Sequence, residues 1–149
     1  MSVTLLPGRA AAEEGARSAA EVSGPLVCIQ GEPRMVRRLL RNLFENAQRY
    51  AAGSPIEASV LPLHPTGVRL CIADRGPGVP EQECERIFAP FYRPAGMRER
   101  GDGGVGLGLA LVRQIARHHG GDVRCMPRHG GGTCFEVILH SVPGIGKVT

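Results

Sequence analysis

The sequence predicts one α+β domain, a two-layer sandwich in which helices pack on one face of a mixed, mainly antiparallel sheet. The chain has 149 residues, of which 42% are hydrophobic, which is enough for one two-layer core. Two segments carry apolar residues at helical spacing. Several shorter segments are apolar or alternating and end at glycine or proline, as strands do.

The best-defined element is a helix from Pro33 to Tyr50. Proline is tolerated at the first helical position because the missing N–H has no partner there. The sequence "GSP" at residues 53–55 ends the helix. Its apolar positions recur at helical spacing: Val36, Leu39, Leu40, Leu43, Phe44 and Ala47.

The other predicted elements follow from shorter patterns. A strand, "PLVCIQ", precedes the helix, and a short helix is expected near "EQECERIF". A second long helix runs from about Leu107 to His118. The remaining strands are expected at "IEASVLPL", "GVRLCIA", "DVRCM" and "TCFEVILH", of which the first two form an antiparallel pair. Residues 1–25 are read as a leader or linker remnant that is either helical or frayed.

Composition excludes several classes of protein. A net charge of +4 with 4% aromatic residues and no tryptophan suits a small anion such as a nucleotide, but not a nucleic-acid stacking surface. Five cysteines without a CxxC pair indicate buried free thiols in a reducing compartment, the cytoplasm. No apolar run approaches the roughly 20 residues of a membrane span.

The stretch "DRGPGVP" follows the strand that ends at Ala73. Asp74 offers a carboxylate at the end of this strand, and Gly76 and Gly78 allow a flat ligand to approach the backbone. An exocyclic amine would suit the carboxylate. The alternative is a tight turn in which the aspartate bonds its own backbone.

The stretch "GDGGVGLGLALV" places Gly103, Gly104, Gly106 and Gly108 so that they lead into a helix. Backbone N–H groups and the positive end of the helix dipole would face one small volume that suits phosphate oxygens. No GK[ST] follows, so this is not a Walker A loop. A flexible hinge is the alternative. The later "GGGTCFEV", which contains Thr133, reads by itself as a hairpin turn.

The stretch "ERIFAPFYRP" holds two of the four phenylalanines, and we expect Phe88 and Phe91 to pin a mobile loop onto the body. Arg93 would then contact terminal phosphate oxygens, or else remain a surface arginine. Residues 92–103 are polar and end in glycines, as in a lid. Earlier in the chain, Asn42 and Asn46 lie one turn apart on the first helix, at some cost in helix propensity.

Taken in order, these motifs resemble the ATP-binding catalytic domain of bacterial sensor histidine kinases, a branch of the gyrase, Hsp90, kinase and MutL (GHKL) ATPase superfamily with the Bergerat fold. The resemblance covers about residues 31–139. "NLFENAQRY" is similar to the N box, "DRGPGVP" to the G1 box, "IFAPFYRP" to the F box and "GGVGLGLA" to the G2 box. "GGGTCF" resembles the weaker G3 element.

The resemblance implies roles on the first helix. Asn46 is similar to the asparagine whose amide oxygen ligates Mg²⁺ on the ATP phosphates, a fitting ligand for a hard cation. Asn42 occupies the position of a catalytic glutamate in the hydrolysing members, so no carboxylate is there to activate water. Arg49 and Tyr50 match positions that line the phosphates and the sugar. The alternative for Arg49 is an ion pair with Glu45.

The resemblance also implies a nucleotide site at the glycine motifs. Asp74 matches the residue that reads the adenine amine. Gly76 and Gly78 match positions where the nucleotide closely approaches the backbone, and Thr133 would help to bind the adenine end. A phosphate cradle is implied at Gly104, Gly106, Leu107 and Gly108. The residues given catalytic roles are Asn42, Asn46 and Arg93. The sequence departs from the family pattern at Arg75, Val105 and Glu32, without loss of a functional group.

The phosphoacceptor histidine of such kinases is missing, because none of the five histidines has the expected helical-hairpin context. The resemblance therefore implies a domain at residues 26–142, with a tail at 143–149, that uses ATP and Mg²⁺. It would phosphorylate a separate dimerisation and phosphoacceptor domain, with a response regulator downstream. The isolated chain would be monomeric and bind no nucleic acid. The full-length protein would be cytoplasmic or anchored in a membrane by segments outside this chain. The alternatives are an anti-sigma-type serine kinase and a nucleotide-binding module without catalysis.

Overall fold

The computed structural model describes residues 2–5, 27–51, 53–92 and 107–141. Two 3₁₀ turns, Glu81–Glu83 and Arg86–Phe88, are found where a short helix was predicted near "EQECERIF". The helices and strands are β1 (Ser2–Leu5), β2 (Val27–Gln30), α1 (Pro33–Tyr50), β3 (Glu57–Leu63), β4 (Gly67–Asp74), α2 (Gly108–His118), β5 (Asp122–Pro127) and β6 (Thr133–His140).

The central sheet has the strand order β3-β4-β6-β5, and its described pairings are antiparallel. Side chains alternate between its two faces. Val68, Leu70 and Ile72 are at most 3% exposed and form the inner face of β4. Helices α1 and α2 pack against this inner face and against each other. The predicted α+β sandwich with helices on one side of a mainly antiparallel sheet is confirmed.

Helix α1 starts with Pro33 in its first turn, as the sequence predicts. The N–H of Val36 donates to the carbonyl of Glu32 at 3.0 Å and closes that turn. Leu39 and Leu43 have no exposed surface, and burying each contributes about 1.5–3 kcal/mol. Asn46 lies on the same buried side of the helix and is 9% exposed. A carboxamide is therefore held at the edge of the core.

A second, two-stranded sheet pairs β1 with β2 in antiparallel register, with Ser2 opposite Gln30 and Leu5 opposite Val27. The strand predicted at residues 25–30 is observed as β2. No sequence pattern predicted β1, because four residues are too few for alternation to be recognised. The division into residues 1–25, 26–142 and 143–149 stays a prediction.

His119 joins three elements at the carboxyl end of α2. Its ring is 1% exposed, with Nδ1 at 2.9 Å from the carbonyl of Ile115. Nε2 accepts the N–H of Glu32 at 3.1 Å, and the carbonyl of His119 accepts the N–H of His140 at 2.7 Å. Both ring nitrogens are therefore engaged in hydrogen bonds. His118, the preceding residue, is exposed at the helix end.

The cysteines differ from the prediction of five buried thiols. Cys71 on β4 and Cys134 on β6 form a disulfide, with Cα atoms 6.5 Å apart. The register explains this pairing, because Ala73 lies opposite Cys134 and so places Cys71 diagonally across from it. Cys28 is exposed, and only Cys125 is a buried thiol among the described residues, with its pKa raised by burial. No described helix is long and apolar enough to cross a membrane.

The outer face of the sheet contains a buried carboxylate. Glu136 is 4% exposed and forms ion pairs with Arg124 and Arg69 on the neighbouring strands. The hydrogen bond from Arg124 lowers the pKa of Glu136 below its ordinary value of 4.5, against the raising effect of burial, and Arg69 adds to the lowering. The ionised carboxylate therefore stabilises the folded state.

Because the pKa of Glu136 is lower in the folded chain, its contribution is complete above the unfolded value near 4.5. The contribution is lost as the pH falls through the folded value. We expect Glu136→Gln to reduce the free energy of unfolding by about 1–2 kcal/mol near neutral pH. This difference should shrink below pH 4.5. Urea unfolding at several pH values measures it, with the exposed Glu81→Gln as the matched control. A difference that does not vary with pH would contradict the assignment.

Candidate nucleotide site

The carboxylate of Asp74 lies at the end of β4, opposite Thr133 at the start of β6. Asp74 is 3% exposed and Thr133 is 4% exposed. The N–H of Gly76 donates to Asp74 Oδ1 at 2.9 Å, which fixes the orientation of the carboxylate. Asp74 Oδ2 receives no hydrogen bond from any described residue. The carboxylate can therefore accept an N–H of a ligand.

Glycines bring three segments into contact around Asp74. A side chain at Gly76 would lie 2.7 Å from the carbonyl oxygen of Tyr50, the last residue of α1. A side chain at Gly132, whose φ is +98°, would overlap the carbonyl oxygen of Asp74. Gly78, at φ +81°, lies against the carbonyl of Gly132. Bare glycine backbone thus packs around the end of β4, and the close approach of a flat ligand to Gly76 and Gly78 stays a prediction.

Asn42 and Asn46 lie one turn apart on α1, and Asn42 contacts the start of α2. Asn42 Nδ2 donates to the carbonyl of Gly108 at 3.4 Å, a long hydrogen bond. The amide of Asn46, one turn later, makes no hydrogen bond with a residue in the part of the chain that the structure describes. An amide in this position can donate and accept hydrogen bonds with a ligand. The structure thus brings Asn42 and Gly108 together, two residues distant in sequence.

Tyr50 and Arg49 differ in their positions at the end of α1. Tyr50 is half-buried, and its backbone lies next to Gly76. Arg49 is exposed, and the alternative ion pair with Glu45 is not formed. Phosphate contact by Arg49 and sugar contact by Tyr50 stay predictions.

Several predicted site residues lie outside the described residues. They include Arg93, Gly104 and Gly106, together with nearly all of the lid predicted at residues 92–103. Leu107 is described: it directly precedes α2 and is 41% exposed. The N–H of Leu111 donates to its carbonyl at 3.0 Å. The predicted phosphate cradle is therefore visible only at its end, Leu107 and Gly108.

Residues 31–143 match the family described as histidine kinase-, DNA gyrase B-, and HSP90-like ATPase. The chain belongs to this ATPase family. The matched range includes the carboxylate, the glycines and both asparagines described above, and it begins where the resemblance was placed from the sequence.

Known relatives of this ATPase domain are sensor kinases. The sensor protein CutS of Streptomyces coelicolor is 38% identical over 113 residues, which are 74% of this chain and 27% of CutS. The structure of the mycobacterial sensor histidine kinase MprB matches with a TM-score of 0.70 at 30% identity, over 79% of this chain and 80% of the solved MprB chain. Full-length ShkA in complex with AMPPNP matches with a TM-score of 0.60 at 27% identity, over 72% of this chain and 22% of ShkA.

These matches confirm the resemblance to the ATP-binding catalytic domain of sensor histidine kinases. The chain spans about a quarter of the length of its curated relative CutS.

One of the two phenylalanines of the F box lies as predicted, and the other does not. Phe88 is 4% exposed and meets Phe135 edge-on, with ring centroids 6.2 Å apart, so it pins the segment to the sheet. Phe91 is 71% exposed, so the expectation that it also pins the segment was wrong. The backbone of Phe91 has a φ of +64°, which is rare for a bulky residue and accompanies its exposed position.

Arg113 is a residue that the sequence reasoning missed. Its guanidinium lies 4.2 Å from the ring centroid of Phe88 and donates to both carboxylate oxygens of Glu85. It also donates to Asp122 Oδ1 at 3.2 Å. A charged residue within the apolar stretch "LALVRQIA" was the only available signal. Arg113 attaches the F box to α2.

Proposed function

We propose that this chain binds Mg-ATP between α1 and the end of the β4–β6 strand pair at Asp74 and Thr133. It would present the γ-phosphoryl group to a histidine on another domain. The buried carboxylate of Asp74 carries this proposal. One of its oxygens is fixed by Gly76, and bare glycine backbone surrounds it. This arrangement suits the exocyclic amine and flat face of adenine, with Thr133 beside the carboxylate. The likeness to ShkA, a protein seen with AMPPNP, supports the same ligand class.

The residues present fit a magnesium ion on the phosphates. Asn46 offers an amide oxygen at the edge of the core, and Mg²⁺ usually takes few protein ligands together with substrate phosphates. No group of three acidic, histidine or cysteine side chains suited to a metal exists among the described residues. Bound there, the ion would neutralise charge that develops on the transferred phosphoryl group. Asn46 is accordingly proposed as its protein ligand.

The chain's own residues would act mainly by positioning. Phosphoryl transfer needs alignment and charge stabilisation rather than covalent chemistry from the protein. Asn42, held by the carbonyl of Gly108, has no carboxylate with which to activate water. ATP would thus be kept from hydrolysis until an acceptor arrives. Arg93 and the glycines at 104 and 106 are proposed to contact the phosphates.

The remaining parts of the kinase are proposals that rest on its relatives. The phosphoacceptor histidine would lie on a dimerisation domain, most simply in the same full-length protein, and a response regulator would receive the phosphoryl group. The domain itself is proposed to be a cytoplasmic monomer. Serine-kinase activity, the alternative within the superfamily, is less favoured because the relatives described above are sensor kinases.

Calorimetric titration of the chain with ATP and ADP, with and without Mg²⁺, tests the proposal. We expect both nucleotides to bind and Mg²⁺ to raise the affinity for ATP. In Asn46→Ala the increase due to Mg²⁺ should fall by about 10-fold or more, because the proposed protein ligand is removed. The measurement is the ratio of dissociation constants with and without the ion.

Gln48→Ala is the matched control, since Gln48 is an exposed amide on the same helix. Its Mg²⁺ effect should equal that of the wild type. An unchanged effect in Asn46→Ala would remove Asn46 from the metal site. The absence of heat with either nucleotide would overturn the proposed function as a whole.

A further inference from the structure

A charge network lies beside Asp74 and joins three strands. Glu57, the first residue of β3, accepts Arg128 Nη2 at 2.7 Å and Nε at 3.4 Å, so the two side chains pair through both carboxylate oxygens. It also accepts Arg75 Nη2 at 3.1 Å. Arg75 directly follows Asp74, and Arg128 directly follows β5. The hydrogen bonds from Arg128 and Arg75 lower the pKa of Glu57 and keep it ionised.

Arg128 also holds the turn between β5 and β6. Its Nη1 donates to the carbonyls of His129 and Gly131 at 3.0 and 3.2 Å. The side chain is only 19% exposed. Gly130, Gly131 and Gly132 all have positive φ, and three such glycines in sequence lose much conformational freedom on folding. The hydrogen bonds of Arg128 restrain this turn.

The restrained turn touches the candidate site directly. Gly132 packs against the carbonyl of Asp74 and the Cα of Arg75, and Thr133 follows it at the start of β6. A displacement of the turn would therefore move Thr133 relative to Asp74. Because Arg128 is anchored to Glu57 on β3, the turn and the end of β4 are tied to the same carboxylate.

We infer that Arg128 is a positioning residue for recognition of the adenine base, and that it acts through Glu57 and the glycine turn without touching the nucleotide. The inference rests on the proposed function. Exposed ion pairs are usually weak, but this one is bidentate, mostly buried at Arg128 and linked to a second arginine. The ion pair between Arg128 and Glu57 would fix the spacing of Asp74 and Thr133. It would therefore affect which base is bound as well as the affinity for the nucleotide.

The test compares dissociation constants for ADP and GDP, measured by calorimetry on the whole chain. We expect Arg128→Gln to weaken ADP binding by about 3- to 10-fold and to lower the preference for ADP over GDP by a similar factor. Glu57→Gln should have the same effect. The dissociation constant of the double variant should be within about 2-fold of that of either single variant, because each substitution breaks the same ion pair between Arg128 and Glu57.

Arg124→Gln is the matched control, since it removes an arginine of β5 and breaks an ion pair to Glu136 away from the turn. It should lower the melting temperature while leaving the ADP preference unchanged. Unchanged ADP binding in Arg128→Gln, equal losses for ADP and GDP, or additive losses in the double variant would each overturn the inference. Failure of the wild type to bind ADP would instead overturn the proposed function, and the inference with it.

Discussion

Replacing Asp74 by asparagine is expected to weaken the binding of both ATP and ADP by about 10- to 100-fold. The carboxylate is 3% exposed, and one oxygen is already occupied by the N–H of Gly76. An asparagine there can present an amide donor to the exocyclic amine of adenine, so a hydrogen bond to a charged acceptor is replaced by a donor facing a donor. Loss of such a bond costs about 1.5–3 kcal/mol.

Calorimetry with each nucleotide measures this loss, and thermal unfolding without nucleotide shows whether the variant is folded. Glu45→Gln is the control for net charge, because Glu45 is exposed on α1 beside the proposed metal ligand. It should bind nucleotide as the wild type does. Equal affinities in Asp74→Asn and the wild type would show that Asp74 does not contact the base.

The chain alone is expected to take up no label from γ-labelled ATP, and to hydrolyse ATP slowly. All five histidines lie in the described residues, and none is on a helical hairpin. His119 is buried with both ring nitrogens hydrogen-bonded, which removes it as a nucleophile. Asn42 cannot activate water, because it has no carboxylate. We expect label only on an added hairpin fragment that carries the acceptor histidine.

Acid-labile, base-stable label on the hairpin fragment identifies phosphohistidine, whereas acid-stable label would indicate the serine-kinase alternative. Asn46→Ala should reduce transfer to the hairpin by about 100-fold or more, because charge on the transferred group is no longer stabilised by a positioned ion. Gln48→Ala should transfer normally. Label on the isolated chain would contradict the division into two domains.

Local sequence patterns were sufficient to predict those helices and strands that depend on neighbouring residues. Helix α1 begins at Pro33, and the apolar positions named from its spacing face the core, with Leu40 and Phe44 only partly buried, because both signals act within one turn or one face. Strand β1 was missed because Ser2–Leu5 offers only four residues and depends on its pairing with β2. The 3₁₀ turns near residues 81–88 were read as one helix because "EQECERIF" has helical composition.

The residues of the candidate site also fall into those that local sequence predicts and those that it does not. Asp74 and its glycines form one short motif, so their proximity follows from the chain itself. The contacts of Arg128 with Glu57 could not be predicted, because the two residues are 71 positions apart and meet only through the strand order. The exposed position of Phe91 depends on a backbone conformation that its residue type does not favour.

The attachment of the F box to α2 by Arg113 has a consequence for the length of the segment that separates them. Glu85 and Phe88 precede residues 93–106, and Arg113 follows them, so both flanks of this segment belong to one packed unit. Lengthening a loop between fixed ends costs little, about 0.6 kcal/mol for each doubling. Insertions or deletions between these two flanks are therefore expected to leave the packed unit folded.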